Sequence, residues 1–210
     1  MIDLERWILE LDDGEEREAQ RQQESSGALF EQYVLRKDTP YRRELLEQYR
    51  SGAALTGKDG LRKKLAAVDL AYFGRAYLPH YFVRESPEFH GELDEIWAEG
   101  VLKHKNPYTD AAQISRMDGS NWAIAAPRGH AKSTTFTFKD SLHAALYAYK
   151  HYILILSDST EQAEAFLEDI KTELEDNAYI IEDFGHLKGD STWKTGTIKA
   201  TNGVKIDAIG

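Results

Sequence analysis

The run Tyr152-Ile153-Leu154-Ile155-Leu156 has no polar alternation, and it constrains the fold more than any other feature of the chain. A strand that faces water on one side alternates; one that reads apolar throughout is expected to be buried on both faces, as in a parallel sheet covered by helices. Its surroundings agree. Upstream, Asn121-Trp122-Ala123-Ile124-Ala125-Ala126 forms a second short apolar run that ends in Pro127-Arg128-Gly129, after which Phe138, Leu142, Ala145, Leu146 and Tyr149 recur on one face of a helix. Downstream, Ser159 stands at an N-cap position with Gln162 three residues on, and Ala163, Phe166, Leu167, Ile170 and Leu174 make the apolar stripe of the next helix. The order strand, helix, strand, helix implies parallel strands joined by right-handed crossovers. Finally Thr197 to Ala200 and Val204 to Asp207 alternate about Asn202-Gly203, the strongest short hairpin signal.

The first half reads differently. Ile2, Leu4, Trp7, Ile8 and Leu11 fit a short amphipathic helix inside a stretch dense in Glu, Gln and Arg. Tyr41, Leu45, Leu46 and Tyr49 recur at helical spacing before Ser51-Gly52, and Leu61, Leu65, Val68 and Tyr72 form a further stripe before Pro79. Pro79, Pro87 and Pro107 punctuate a segment rich in aromatics and histidines, with a helix expected from about Glu88 to Leu102. Two parts follow: a mostly helical region over 1–110, with an acidic arm over about 1–25, and an α/β core over 111–210.

Composition narrows the chemistry. At 210 residues, 41% hydrophobic and 30% charged, the chain suits one sizeable soluble domain with at most a small appendage. Zero cysteines remove disulfides, thiolate metal sites and thiol nucleophiles together. No window approaches the roughly 18 apolar residues of a membrane span, and the acidic start is wrong for a secretory signal, so a cytoplasmic protein is expected. A net charge of −10 argues against coating nucleic acid with the whole surface. Basic residues do outnumber acids between Arg36 and Lys64, where either a local positive face or an ordinary solvated helix surface is consistent. His80, His90 and His104 lack ligand-like spacing with carboxylates, so no zinc site is expected.

The loop from Ala126 to Thr134, APRGHAKST, sits directly after the first apolar run and directly before a helix. Backbone N–H groups at a helix N-terminus are unpaired and carry the positive end of the helix dipole, so a polyphosphate takes several of them as donors at once. Lys132 would reach the β and γ phosphates and the Ser133 hydroxyl would ligate a bridging magnesium ion. Both glycines of the pattern G-x-x-x-x-G-K-[ST] are replaced, by Ala126 and Ala131, although Gly129 remains inside the loop. A methyl group there costs about 1 kcal/mol wherever the backbone needs positive φ. Arg128 is a second cation for the γ phosphate or a plain surface charge, and His130 is expected to shape the loop.

The stretch Pro127 to Thr134 after a Trp-containing strand resembles the variant Walker A motif of the large terminase subunits of tailed bacteriophages, the ATPases that pump DNA into procapsids. Further segments carry the resemblance: Tyr72-Phe73 through Leu78-Pro79-His80-Tyr81-Phe82 with Phe89-His90 and Leu93, then Ile153 to Asp158 with Gln162-Ala163, then Thr201 to Val204 with Gly210. It spans about residues 70 to 210. It implies a P-loop NTPase sheet of the ASCE/RecA-like type flanked by helices, with Pro127, Arg128, Gly129, His130, Ala131, Lys132, Ser133 and Thr134 around the nucleotide, Lys132 and Arg128 acting on the phosphates, and Ser133 on magnesium. Its implied ligands are ATP and Mg2+, and its implied partners are double-stranded DNA, a portal protein, a small terminase subunit and further copies in a ring, within the cytoplasm of a bacterial host and without a membrane.

The same resemblance implies a Walker B strand and a ribonuclease H-type nuclease, both expected beyond Gly210, so this stretch is expected to bind ATP but hydrolyse it poorly alone. Ile153 to Asp158 is rejected as that strand, because Ser159 caps a helix where a catalytic Glu would be needed. The upstream aromatics are read chiefly as core, with Tyr81, Phe82 or His90 as candidates to pack on a base. Two other functions stand beside the motor: a different P-loop enzyme, helicase-like or a kinase, and a non-enzymatic interaction module with a vestigial loop.

Overall fold

The computed structural model describes residues 25–83, 87–102, 123–125 and 131–210. Residues 25–34 form helix α1, which buries Phe30, Tyr33 and Val34. Helix α2 (Pro40–Arg50) begins where Thr39 accepts a hydrogen bond from the Arg42 N–H and Pro40 supplies a fixed φ. Leu61 to Tyr72, one stripe by periodicity, is divided into α3 (Leu61–Ala66) and α4 (Leu70–Tyr77). The cause is Asp69. Its carboxylate accepts from the Tyr72 N–H at 2.8 Å and starts a new helix, while its other oxygen takes the buried Arg42 guanidinium at 2.6 Å. Helix α5 (Glu88–Trp97) runs on into a π-helical turn, Ala98–Leu102. Helix α6 (132–146) starts as an α-helical turn, continues as a π-helical stretch over Thr134–Asp140, and ends α-helical over Ser141–Leu146.

The second half builds a small mixed sheet of β1 (Tyr152–Leu156), β2 (Thr197–Lys199) and β3 (Lys205–Ile209), in the order β1-β3-β2. β1 pairs with β3 in parallel, Ile153 opposite Ile206, and β2 pairs with β3 antiparallel around the Asn202-Gly203 turn, where Gly203 takes φ 90°. Helix α7 (Thr160–Asp176) is opened by the Ser159 hydroxyl, which accepts from the Gln162 N–H. The Gln162 side chain does not return to Ser159; it accepts from the Ser157 hydroxyl instead. Asn177 then ends α7 and caps α8 (Ala178–Phe184), its side-chain oxygen accepting from the N–H groups of Tyr179 and Ile180.

β1 departs from its expected burial. Ile155 is buried, but Tyr152, Leu154 and Leu156 on the opposite face are 53%, 43% and 69% exposed. The helices cover one face of the sheet, and nothing among the described residues covers the other. Of the first apolar run only 123–125 are described, and they form no strand. One hydrophobic cluster nevertheless joins both halves, from Phe30, Leu45 and Leu65 through Phe73 and Tyr77 to Phe138, Leu167 and Ile206. Of the aromatics read as core, Phe73, Tyr77 and Phe82 belong to it and Phe89 is only partly buried outside it, whereas Tyr81 is 44% exposed. No helix among the described residues is long and apolar enough to cross a membrane.

Candidate phosphate-binding helix end

The α6 end is built from the residue before it. Ala131 has φ 52°, the left-handed conformation that side chains rarely adopt, and its carbonyl accepts the Thr135 N–H at 2.9 Å. The chain therefore turns sharply at Ala131 and enters the helix at Lys132. By helical geometry the N–H groups of the first turn have no partner within α6, and the Ser133 side chain makes no capping hydrogen bond to the Thr134–Asp140 stretch. Lys132 is half-buried and Ser133 exposed, so an ammonium and a hydroxyl stand together at this helix end. Pro127, Arg128, Gly129 and His130 lie outside the described residues.

α6 finishes at Leu146, and the chain turns through Tyr147–Tyr149 into β1. Ser157 and Asp158 follow β1, and Asp158 accepts a 3.3 Å bond from Ser157 Oγ just before the Ser159 cap.

The left-handed Ala131 carries its own test. Left-handed geometry costs an L-residue about 1–2 kcal/mol, and glycine avoids that cost while losing about 0.5–1 kcal/mol in chain entropy. Ala131→Gly is thus expected to raise stability by about 0.5–1 kcal/mol, read from the urea midpoint. A destabilised variant would show that the turn is not strained at this residue.

Behind the first turn lies a polar cluster that periodicity does not reveal. Lys139, 2% exposed, donates from Nζ to Asp94 Oδ1 of α5 at 2.5 Å and stands 3.4 Å from Asp140 Oδ1. The two Asp140 oxygens and the Thr135 hydroxyl, all fully buried, have no hydrogen-bond partner among the described residues. Burial pushes the Asp140 carboxyl up to about 8, the Lys139 charge opposing and the Asp94 charge adding to the rise. Burial likewise raises Asp94, against the pull of Lys139. His143, wholly enclosed among Phe73, Tyr147 and Tyr149, is pushed down to about 3 by burial although Ala66 O bonds its ring. The available signal was Lys139-Asp140, a charged pair between the apolar positions Phe138 and Leu142.

Other candidate features are weaker. Between Arg36 and Lys64 the positive face loses two members to the interior: Arg42 pairs with Asp69, and Arg62 with Asp183. A shallow cavity of about 280 Å³ between His80, Glu173, Asp176, Asn177 and Tyr179 is lined by carboxylates that repel a polyphosphate. Among the described residues no cluster of three or more metal-ligating side chains occurs. No protein-family model, curated protein or solved structure matches the chain.

Proposed function

We propose that the start of α6 binds the triphosphate of ATP with magnesium, and that the chain is the ATPase part of a viral DNA-packaging motor, the large terminase subunit. The observation that carries the binding site is Ala131 at φ 52° immediately before a helix beginning Lys132-Ser133. The left-handed residue takes there the conformation that glycine supplies in the usual pattern, which supports a turn that would offer first-turn amides to a phosphate. Lys132 neutralises the β and γ phosphates and Ser133 offers its hydroxyl to magnesium, with Arg128 as the second cation. A magnesium ion held by Ser133 would offset the charge of the phosphates.

The wider assignment rests on the sequence resemblance. It takes double-stranded DNA, a portal protein and a small terminase subunit as partners, a ring of identical subunits as the working assembly, and the cytoplasm of a bacterial host as the place.

Lys132→Ala tests the site. The wild type is expected to gain thermal stability with saturating Mg·ATP, because a ligand that binds only the native state stabilises it. The variant should keep its fold and lose affinity at least tenfold, on the order of one charge-assisted hydrogen bond. A wild type whose melting temperature ignores Mg·ATP favours the second reading, an interaction module, for which Leu154, Leu156 and Ile209 on the uncovered sheet face are the supporting observation.

A further inference from the structure

We infer that Lys139 is a positioning residue that couples the helical N-terminal half of the chain to the helix end bearing Lys132 and Ser133, through a buried trio with Asp94 and Asp140. As regulation of the triphosphate site, this rests on the function proposed above; as a mechanical link it stands on the contacts alone.

The side chain of Lys139 is threaded through three other segments. In α4, Gly74 occupies a helix interior, where glycine costs about 1 kcal/mol relative to alanine. A Cβ there would stand 3.2 Å from Lys139 Cδ and 3.3 Å from the Phe82 ring, so the missing side chain makes the passage for the lysine stem. Phe82 presents its ring 5.7 Å from the ammonium, and Asp94 of α5 takes the hydrogen bond. Segments from Leu70 to Trp97 therefore converge on one nitrogen atom of α6.

That atom belongs to the stretch of α6 whose backbone is not α-helical. Thr134–Asp140 is π-helical, a form that is rare and concentrates at functional sites. A π-helical stretch reverts to an α-helical one by a shift in register, which would turn Lys132 and Ser133 about the helix axis relative to Ser141–Leu146. Within the stretch, Thr135 Oγ1 and both Asp140 oxygens lack hydrogen-bond partners, so the present register leaves buried polar groups unmatched. The Lys139–Asp94 bond opposes that shift. Removing the ammonium takes away the donor to Asp94 and leaves the Asp94 and Asp140 carboxyl groups buried without it, while α5 loses its grip on α6.

The test compares Lys139→Met, Lys139→Arg and Gly74→Ala with wild type by amide hydrogen exchange without nucleotide, and by Mg·ATP affinity. In Lys139→Met, exchange at residues 132–140 should quicken at least tenfold while α7 and the β1–β3 pairing keep wild-type rates, and affinity should fall at least tenfold. Lys139→Arg, which retains the charge and the first methylenes, should stay within about threefold of wild type in both readouts. Should Lys139→Met fail to fold, Gly74→Ala supplies the second reading: its Cβ presses the lysine stem and the Phe82 ring by a few tenths of an ångström without removing the charge, and exchange at 132–140 should quicken more than in α7. Unchanged exchange at 132–140, or faster exchange by one common factor everywhere, overturns the inference. Lys132→Ala separates the two ideas. If it binds Mg·ATP as wild type does, the triphosphate reading fails and exchange alone decides the coupling; if it loses binding while Lys139→Met keeps it, the coupling to the site fails by itself.

Discussion

Asp183→Ala is expected to cost about 3–5 kcal/mol of folding stability, the range for leaving a buried charge without its partner. Asp183 is 1% exposed and its carboxylate is the meeting point of three segments. Arg62 Nε of α3, itself 3% exposed, donates to Oδ2 at 2.7 Å, the Tyr77 hydroxyl of α4 donates to the same oxygen, and the Gly57 N–H donates to Oδ1 at 2.6 Å. Burial works against the Arg62 charge, but the hydrogen bond and field of Asp183 overcome it, and the guanidinium is held above its ordinary value. Burial and then the Asp183 charge push the Tyr77 hydroxyl well up, so it remains a donor.

Truncating Asp183 strands this guanidinium. Its remaining partners are the half-exposed Glu182 at 2.7 Å and the Tyr179 carbonyl at 3.3 Å. Urea denaturation of Asp183→Ala, Arg62→Met and the double variant gives the coupling directly. The double variant is expected to lose less than the sum of the singles, since removing both partners leaves no orphaned charge. A loss below about 1 kcal/mol in Asp183→Ala would show that the Asp183 carboxylate contributes little to holding the helical half against α8.

What was legible beforehand followed local rules, and what was not depended on distant partners. The stripe Tyr41 to Tyr49 before Ser51-Gly52, Ser159 with Gln162, and Asn202-Gly203 each act over a few residues, so α2, α7 and the β2–β3 turn stand where their signals put them. Asp69 also acts locally, but its effect was hidden because Leu65, Val68 and Tyr72 keep helical spacing across the break. The exposure of Leu154 and Leu156 was not legible, because an apolar run reports what the chain can bury and not what is present to cover it. Arg42 and Arg62 looked like surface charge until Asp69 and Asp183 were seen to meet them across 27 and 121 residues. At the candidate site the sequence marked Lys132 and Ser133. It was silent on Asp94, 45 residues from the lysine it binds.

Stability is expected to fall as pH rises from about 6.5 to 8, and Asp140→Asn is expected to abolish that fall. The sign comes from comparing folded and unfolded states. Asp140 is held near 8 in the fold, whereas an unfolded Asp titrates at about 3.9, so between those values the native state keeps a proton that the unfolded chain has released. Stability then drops with rising pH, by up to about 1.4 kcal/mol per unit, and levels off once Asp140 ionises in both states. The groups facing it are Lys139 on its own helix and Asp94 on α5, with His90 of α5 acting on Asp94 in turn.

His143 bends the curve the other way. Held near 3 in the fold against about 6.5 unfolded, it makes stability fall as pH drops below 6.5, because the unfolded chain gains a proton the native state refuses. Between about 4 and 6.5 the two slopes oppose each other. Above 6.5 Asp140 acts without that counterweight, and its share over pH 6.5 to 8 is about 2 kcal/mol. Asparagine keeps the shape and cannot ionise, so Asp140→Asn should be flat across this window while retaining the acid limb set by His143. Urea midpoints measured from pH 4 to 9 decide it: a variant whose alkaline loss matches wild type would place the titrating group elsewhere and leave Asp140 charged and paired.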